Sequence, residues 1–588
     1  MEYVFAAPVV SDAGEGFLNV AIADGLPFSR PGEPVLPAKI ARILLPPDAV
    51  VRGVSASPAA VEMRIALDAP VAFGRTPAPL ASPHPVFIDD APDPAIYASE
   101  SPYPAQRAEF VSVQRLHGCA IAIVRVFPAQ VLSADSLLVF WPRVRVSVAY
   151  DRPAPAKLPA ARAAAATPSS ATEARLAQVR EFVDNPEALS ADAPTPSRTT
   201  VSAFPAEAPE AFDYLLVTAA ALTNAFKPLV DHKVTAGLAV KVMTMEEILA
   251  GFSGVDNAAK LRACIAQAYE TWGVTYVLLG GDVSTVPHRG AYARTSGYVD
   301  NALPCDLYFA CLDGSWNGDG DALWGEPTDG DDGGDVDLLA EVYVGRAPVE
   351  TPAEATNFVA KTIAYADNRH PQVETALFLG EFLKSENGLD AQGGAGLDAL
   401  LPSFVRHDVA WLDDRPVAGA TWNVAAAIAA LGAAPHLVAH NGHANRAYAL
   451  RMANADIPQL ENPHPFLLAS TGCHAGAFDE SDCFAEEIVK LPEHGAFAAV
   501  MNSRFGWYNM VDPGRYSGQF VERLYARLLV SGDLAIGAAH QLAKHDMAGW
   551  VETDGTYMTY RWCYFETTLF GDPHTAMQPS DDLQALPR

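Results

Sequence analysis

Cysteine is scarce in this chain: seven residues among 588, at positions 119, 264, 305, 311, 473, 483 and 563. They are too few and too scattered for a disulfide scaffold, an odd count leaves at least one thiol unbridged, and no Cys-x-x-Cys pair offers a zinc site. Basic charge is thin too, with 40 Lys and Arg against 70 Asp and Glu and a formal net charge of -30. Nucleic-acid affinity comes mainly from Lys and Arg neutralising phosphates, so this balance argues against a nucleic-acid partner and favours simple solubility. Long apolar runs are missing. The longest, around residues 424–439, is interrupted by Gly432 and Pro435 and is too short to span a membrane. Met1-Glu2-Tyr3-Val4-Phe5 has neither the basic nor the apolar region of a signal peptide. No redox or nucleotide cofactor is expected.

What is present is enough apolar residue, 50% of the chain, to bury large cores in roughly three or four domain-sized units. Residues 1–150 read as an all-β domain, with Pro and Gly at short intervals and alternating runs such as Gln114 to Val126 and Leu138 to Tyr150. Residues 151–210 form a linker rich in Ala, Pro, Ser and Thr, with one helix expected from Ala171 to Val183 and an otherwise exposed backbone. From Phe212 strands alternate with helices, the signature of a mainly parallel α/β sheet. Strands are expected at Tyr214 to Thr218, Ala239 to Thr244 and Tyr276 to Gly280, with a helix from Asn257 to Trp272. A break after the helix Thr351 to Asn368 divides this α/β part into subdomains 211–370 and 371–588.

Two buried strands in the second subdomain end in reactive side chains. His436 to Ala439 runs into the turn Asn441-Gly442 carrying His443, and Phe466 to Ser470 runs into Thr471-Gly472 carrying Cys473. Ligands of open parallel sheets sit beyond the carboxyl ends of strands, so adjacent strands of this kind put both side chains in one crevice. There a Cys473 thiolate is the nucleophile, and His443 raises its ionised fraction and passes the proton to the leaving amine. Backbone N–H groups at Gly442 and Cys473 are candidates to hold the oxyanion. Cys483 is the rival nucleophile, because Asp482 before it is a good helix cap and a helix N-terminus lowers a thiol pKa. His440-x-x-His443 invites zinc, but the pair straddles a turn and lacks the Glu of a zinc peptidase.

The segment resembles the gingipain-like cysteine peptidases in three places: Gly442-His443-Ala444, the strand Leu467 to Cys473, and Cys483-Phe484-Ala485-Glu486. Tyr276 to Asp282, Glu341 to Arg346 and Leu569-Phe570-Gly571-Asp572-Pro573 follow the same family order, and Ala444 departs from it where the family has a second Gly. The resemblance implies a caspase-like catalytic domain of two subdomains with mainly parallel sheets, a pro-domain over residues 1–150, secretion with a trimmed signal, and protein or peptide substrates. It also implies that Glu341 orients the catalytic His, that Trp507 walls the substrate pocket, and that Arg or Lys precedes the cut. The sequence itself singles out no acid for such a pocket; Glu350 and Glu354 are the candidates. On this reading the chain is a zymogen whose linker, with Arg152, Lys157, Arg162, Arg175, Arg180 and Arg198, is where the enzyme cuts itself. The alternatives are a catalytically silent adhesin on a peptidase scaffold and a Cys-His amidase.

Asp313-Gly314-Ser315-Trp316-Asn317-Gly318-Asp319-Gly320-Asp321 spaces oxygen-bearing side chains like the front of a calcium loop. Asp313, Asn317, Asp319, Asp321 and Glu326 are the expected ligands of a structural calcium, although Trp324 stands where such a loop has its bidentate Glu. Further acids at Asp329, Asp331, Asp332, Asp335 and Asp337 would repel one another without a cation.

Overall fold

The period-two patterning of residues 1–150 becomes antiparallel strands, as the alternation demands. A computed structural model describes residues 1–81, 90–152, 170–189, 211–330, 334–386, 388–415, 421–532, 535–553 and 555–579. It divides into two units: the described parts of Met1–Thr76, Phe87–Arg198 and Gly330–Leu339, and those of Pro77–Val86, Thr199–Asp329 and Ala340–Arg588.

In the first unit a four-stranded sheet orders Leu26–Phe28, Leu36–Leu44, Cys119–Val126 and Ala108–Leu116. The last two form a hairpin closed by His117 and Gly118, both at positive φ (50° and 76°), a turn whose twist matches the flanking strands. Glu2–Val4, Arg143–Asp151 and Val50–Pro58 make a second sheet, and Leu36, Ala122, Val124, Phe140 and Val144 are among the fully buried core. The helix expected in the linker is present as Ser170–Phe182. It does not belong to an open tether. Val179 is fully buried, and just beyond the helix Asp184 accepts the Arg42 N–H while Asn185 accepts from Leu44 N–H and donates back to Leu44 O. Two short side chains thereby satisfy strand backbone groups that alanine and proline cannot. Residues 153–169 and 190–210, with Lys157, Arg162 and Arg198, lie outside the described residues.

The second unit is built on one ten-stranded sheet. In chain order its strands are β1 (Tyr214–Thr218), β2 (Val240–Thr244), β3 (Tyr276–Gly280), β4 (Tyr343–Ala347), β5 (Thr375–Gly380), β6 (Asp408–Asp413), β7 (Leu437–Asn441), β8 (Phe466–Ser470), β9 (Ala496–Asn502) and β10 (Thr567–Phe570). They lie in the order β2-β1-β3-β4-β10-β9-β8-β7-β5-β6. Every pair is parallel except β9 with β10, where Ala499 faces Phe570 and Asn502 faces Thr567. The two halves expected from the sequence are thus parallel sheets of opposite direction, joined edge to edge by β10. This is an α/β caspase-like catalytic domain, accompanied by a β-rich N-terminal part. Near-continuous apolar runs follow from burial on both faces: β1, β7 and β8 are buried at every position.

The Gly571-Asp572-Pro573 turn after β10 holds a buried ion pair. Asp572 meets Lys233 Nζ at 2.5 Å and accepts from Tyr214 Oη at 2.7 Å and Thr575 Oγ1 at 2.8 Å. Burial alone would raise this carboxyl, but the Lys233 ammonium and the hydroxyl donors outweigh it and hold the carboxyl below its usual range. A carboxyl depressed in the folded state stabilises the protein above the ordinary carboxylate range and loses that contribution as pH falls through its folded value. Asp572→Ala strands the buried ammonium, and equilibrium unfolding is expected to show a loss of about 3–5 kcal/mol at neutral pH. The variant's stability should also fall less steeply than the parent's in acid.

Candidate active site

The register of β7 and β8 sets the site. Leu437 pairs with Leu467 and His440 with Ser470, so His443 and Cys473 each stand three residues past paired strand ends. Side-chain hydrogen bonds lash those ends together. Thr471 Oγ1 donates to Asn441 Oδ1 at 3.0 Å, and Asn502 Nδ2, at the end of β9, donates to Thr471 O at 2.9 Å. The turns are tight enough to need glycine: a Cβ on Gly442 would fall 2.5 Å from His440 Nε2, and one on Gly506 1.8 Å from Thr471 O. Ala444 is accommodated because Gly472 lacks a Cβ, which would otherwise sit 2.5 Å from the Ala444 methyl.

A segment from the N-terminal part of the chain lies in this crevice. Ala78–Pro79 pairs antiparallel with the short strand Trp507–Tyr508, and Ser296 Oγ donates to Pro77 O at 2.9 Å. Leu80 N–H donates to Gly506 O at 2.8 Å, and the Cys473 thiol is directed at the same oxygen, 3.6 Å away. Leu80 O meets His443 Nδ1 at 2.9 Å, while His443 Nε2 meets Leu383 O at 3.0 Å. Both partners of the imidazole are backbone carbonyl oxygens. One peptide unit of the chain therefore separates the two groups that the sequence pairs as nucleophile and base.

The Cys473 thiol is wholly buried, and burial pushes it well above its usual value; the Glu566 carboxyl adds to this, against the backbone hydrogen bonds of Gly506 and Leu80. Cys483 does not share the crevice. It is the N-cap of helix Phe484–Lys490, fully buried, with its own N–H donating to Glu486 Oε2 at 2.6 Å. Burial and then Glu486 push its thiol up as well, and Glu486 itself is raised to about 8, so the helix terminus creates no thiolate there.

Glu341 is not on the imidazole of His443. Its carboxylate accepts from Leu312 N–H at 2.7 Å, and β4, which it precedes, is separated from β7 by β10, β9 and β8. The carboxylate closest to the histidine strand is Glu381, at the end of β5. It meets His440 Nε2 at 3.1 Å and Arg451 Nε at 3.8 Å, while His440 Nδ1 meets Ser470 Oγ at 2.8 Å. The rule that found His443 and Cys473, a polar residue just past a buried strand, applies equally to Glu381 after Leu377 to Gly380 and would have found it. His440 is engaged by these groups, with no metal cluster around it among the described residues. Glu354 is the capping-box residue of helix Pro352–Asp367, accepting from the Glu350 and Thr351 N–H groups, and its other oxygen lies 3.7 Å from Lys490 Nζ. Trp507 is fully buried and pairs with Pro79, its ring 5.5 Å from Tyr298 and 5.7 Å from Trp562.

The acidic loop spends its side chains largely on its own backbone. Asp319 accepts from Asp321 N–H, Asp321 from Leu323 N–H, and Asn317 Nδ2 donates to Asp321 O. Asp329, raised to about 6 by burial, accepts from Gly318 and Glu326 N–H and organises the turn from within. The expected convergence of five ligands is not what holds the loop. Two buried oxygens, Asn317 Oδ1 and Glu326 Oε2, have no hydrogen-bond partner, and Asp313 and Glu341 each bring a carboxylate oxygen within 4.8 Å of the other. Asp331 and Asp332 lie outside the described residues.

A cysteine and a histidine thus stand at neighbouring strand ends of one parallel half of the sheet. Residues 207–578 match the model of peptidase family C25, and the chain belongs to that family; it is a cysteine peptidase. Among curated proteins none matches the chain. A crystal structure of the Arg-specific cysteine proteinase gingipain R is 19% identical, with 64% of this chain and 80% of that one covered at a TM-score of 0.47. A complex of the pro- and mature domains of RgpB from Porphyromonas gingivalis is 16% identical over 62% of this chain and 80% of that one, at a TM-score of 0.46.

Because Leu80 covers the thiol, Leu80→Gly is expected to raise the iodoacetamide labelling rate of Cys473 at least about tenfold by restoring water access, with the fully buried Cys483 unchanged. Peptide mass mapping of labelled residues over time measures both.

Proposed function

We propose that this chain is the latent, secreted precursor of an endopeptidase that cuts peptide bonds through Cys473 and His443. The observation that carries the reading is the Leu80 peptide, hydrogen-bonded to Gly506 on one side and His443 on the other beside the thiol. In the opened site Cys473 Sγ attacks the scissile carbonyl carbon, and His443 gives its proton to the departing amine nitrogen. Water then hydrolyses the thioester, with His443 as the base. Gly472 N–H is committed to Ser470 Oγ at 3.1 Å, so the oxyanion donors we assign are Gly442 and Cys473 N–H.

The same geometry accounts for latency. A productive substrate turns its carbonyl oxygen toward the oxyanion donors, whereas the Leu80 oxygen is held by the imidazole, which is then unable to protonate a leaving group. Secretion and activation by a cut within residues 151–210 are the family's pattern carried to this chain. Arg or Lys before the cut would be part of the same pattern, but it requires an ionised acid, and among the described residues Glu386, Glu381 and Asp300 already face cations. The amidase and adhesin readings lack support of this kind, since Ala78–Leu80 already lies in the crevice as an extended peptide.

Cys473→Ala is expected to abolish turnover of a mixed peptide library while Cys483→Ala keeps most of it; equal loss in both would overturn the nucleophile. Incubating the parent beside Cys473→Ala, with fragment masses and activity followed together, tests latency. A fully active uncut parent would recast residues 1–150 as a permanent accessory domain.

A structural calcium at the acidic loop is the other part of this proposal, supported by the two unpartnered oxygens at Asn317 and Glu326. A ligand bound only by the folded state stabilises it by RT ln(1 + [L]/Kd). Thermal unfolding of the chain should shift downward on chelation and recover with added calcium; no shift in either direction would leave the loop a solvated acidic turn.

A further inference from the structure

We infer that the pocket beside Cys473 accepts an uncharged apolar residue, leucine being its type, ahead of the cleaved bond, and does not take Arg or Lys there. The inference rests on the reading of Cys473 and His443 as the catalytic pair. Ala78 and Pro79 are held as a strand added to Trp507–Tyr508, and the next residue, Leu80, has its N–H on Gly506 O and its backbone against the thiol. Extended peptides bind sheet edges in this way, main-chain hydrogen bonds fixing the register and pockets reading alternate side chains. The register delivers Leu80 to the position before the reacting bond. Its side chain is 0% exposed.

A cation carried into that place needs an ionised carboxylate, since an unpaired buried charge is far costlier than a buried Leu. The carboxyls that act electrostatically on Cys473 and on its neighbour Tyr508 are Glu566 and Glu386. Glu566 is wholly buried, accepts Trp562 Nε1–H at 3.1 Å, and is pushed well up toward its neutral form by that burial. Glu386 already holds Lys384 Nζ at 3.1 Å. The acids further out are engaged as well: Glu381 by His440 and Arg451, and both Asp300 and Asp479 by Arg504 at 2.6 Å. Among the described residues, Glu386, Glu381, Asp300 and Asp479 thus each face a cation or an imidazole already. What remains is aromatic, with Trp507 backed by Tyr298 and Trp562. The basic residues of the linker then lose their place as self-cleavage sites.

The test pairs turnover with thiol labelling on the full chain. Internally quenched peptides carrying Thr-Pro-Ala-Pro-Leu-Ala-Ser, and the same peptide with Arg or Lys for Leu, are compared by kcat/KM. Leu is expected to exceed both by at least about tenfold, the discrimination that a buried uncompensated charge provides. In parallel, Cys473 labelling by iodoacetamide is measured in Leu80→Met and Leu80→Arg, with circular dichroism confirming that each is folded. An apolar pocket predicts that Leu80→Met labels at the parent's rate and Leu80→Arg much faster. A basic-specific pocket predicts that Leu80→Arg labels more slowly than the parent. Cys473-dependent turnover favouring Arg or Lys, or indifferent to the exchange, overturns the apolar pocket and leaves the peptidase reading intact. Turnover that survives Cys473→Ala overturns the peptidase reading itself. If no peptide is turned over, the labelling order of Leu80→Arg and parent decides the pocket alone.

Discussion

The parallel register between Leu437–Asn441 and Phe466–Ser470 is the constraint on which the site depends. A one-residue slip would turn every side chain of a strand to the opposite face. Here both faces are packed, with Val438 and Leu468 in one apolar cluster and Leu437, Ala439, Leu467 and Ala469 in another, so the pairing has no alternative of equal burial. The Asn441, Thr471 and Asn502 side chains carry that register past the strand ends into the turns. His443 and Cys473 inherit their placement from core packing as much as from any contact of their own.

On the proposed reading of this chain as a precursor, burial of the thiol and latency are one phenomenon described twice. A thiol covered by the Leu80 peptide is denied the solvation a thiolate needs, and its proton stays on sulfur. Withdrawal of the segment returns water to the crevice and releases His443 from the Leu80 oxygen in the same step. Under the roles proposed for Cys473 and His443, nucleophile and acid are then restored together, without movement of the strands that carry them.

The regular part of the α/β unit was legible in the sequence because its strands are continuous apolar runs. Tyr214–Thr218, Tyr276–Gly280 and Phe466–Ser470, and the helix Asn257–Trp272, have the bounds that their patterns predict. Less regular patterns failed for identifiable reasons. The hairpin Arg289–Thr295 with Tyr298–Cys305 gave no strand signal, because its polar faces mask its period. Helix Thr559–Glu566 is buried at all eight positions and so has no amphipathic stripe to detect. Trp507 and the strand ends that carry His443 and Cys473 were visible in the chain, as local features are. Leu80 was not, since its meaning lies in a contact across more than three hundred residues of sequence. Glu341 came from the resemblance and not from a pattern in the chain, and the strand it precedes is separated from the histidine strand by three others in the sheet order.

The antiparallel seam at Thr567–Phe570 bears on how the molecule is made. This strand pairs with Tyr343–Ala347 on one side and Ala496–Asn502 on the other, and it is the last of the ten to leave the ribosome. During synthesis the two parallel half-sheets each face solvent with an open edge, and neither edge can complete the other until the final strand arrives. Segment Ala78–Leu80 has by then long been synthesised. A nascent chain thus carries the peptide that covers its thiol well before it has a finished sheet, and a message truncated ahead of Thr567 would yield two exposed edges that invite intermolecular strand pairing.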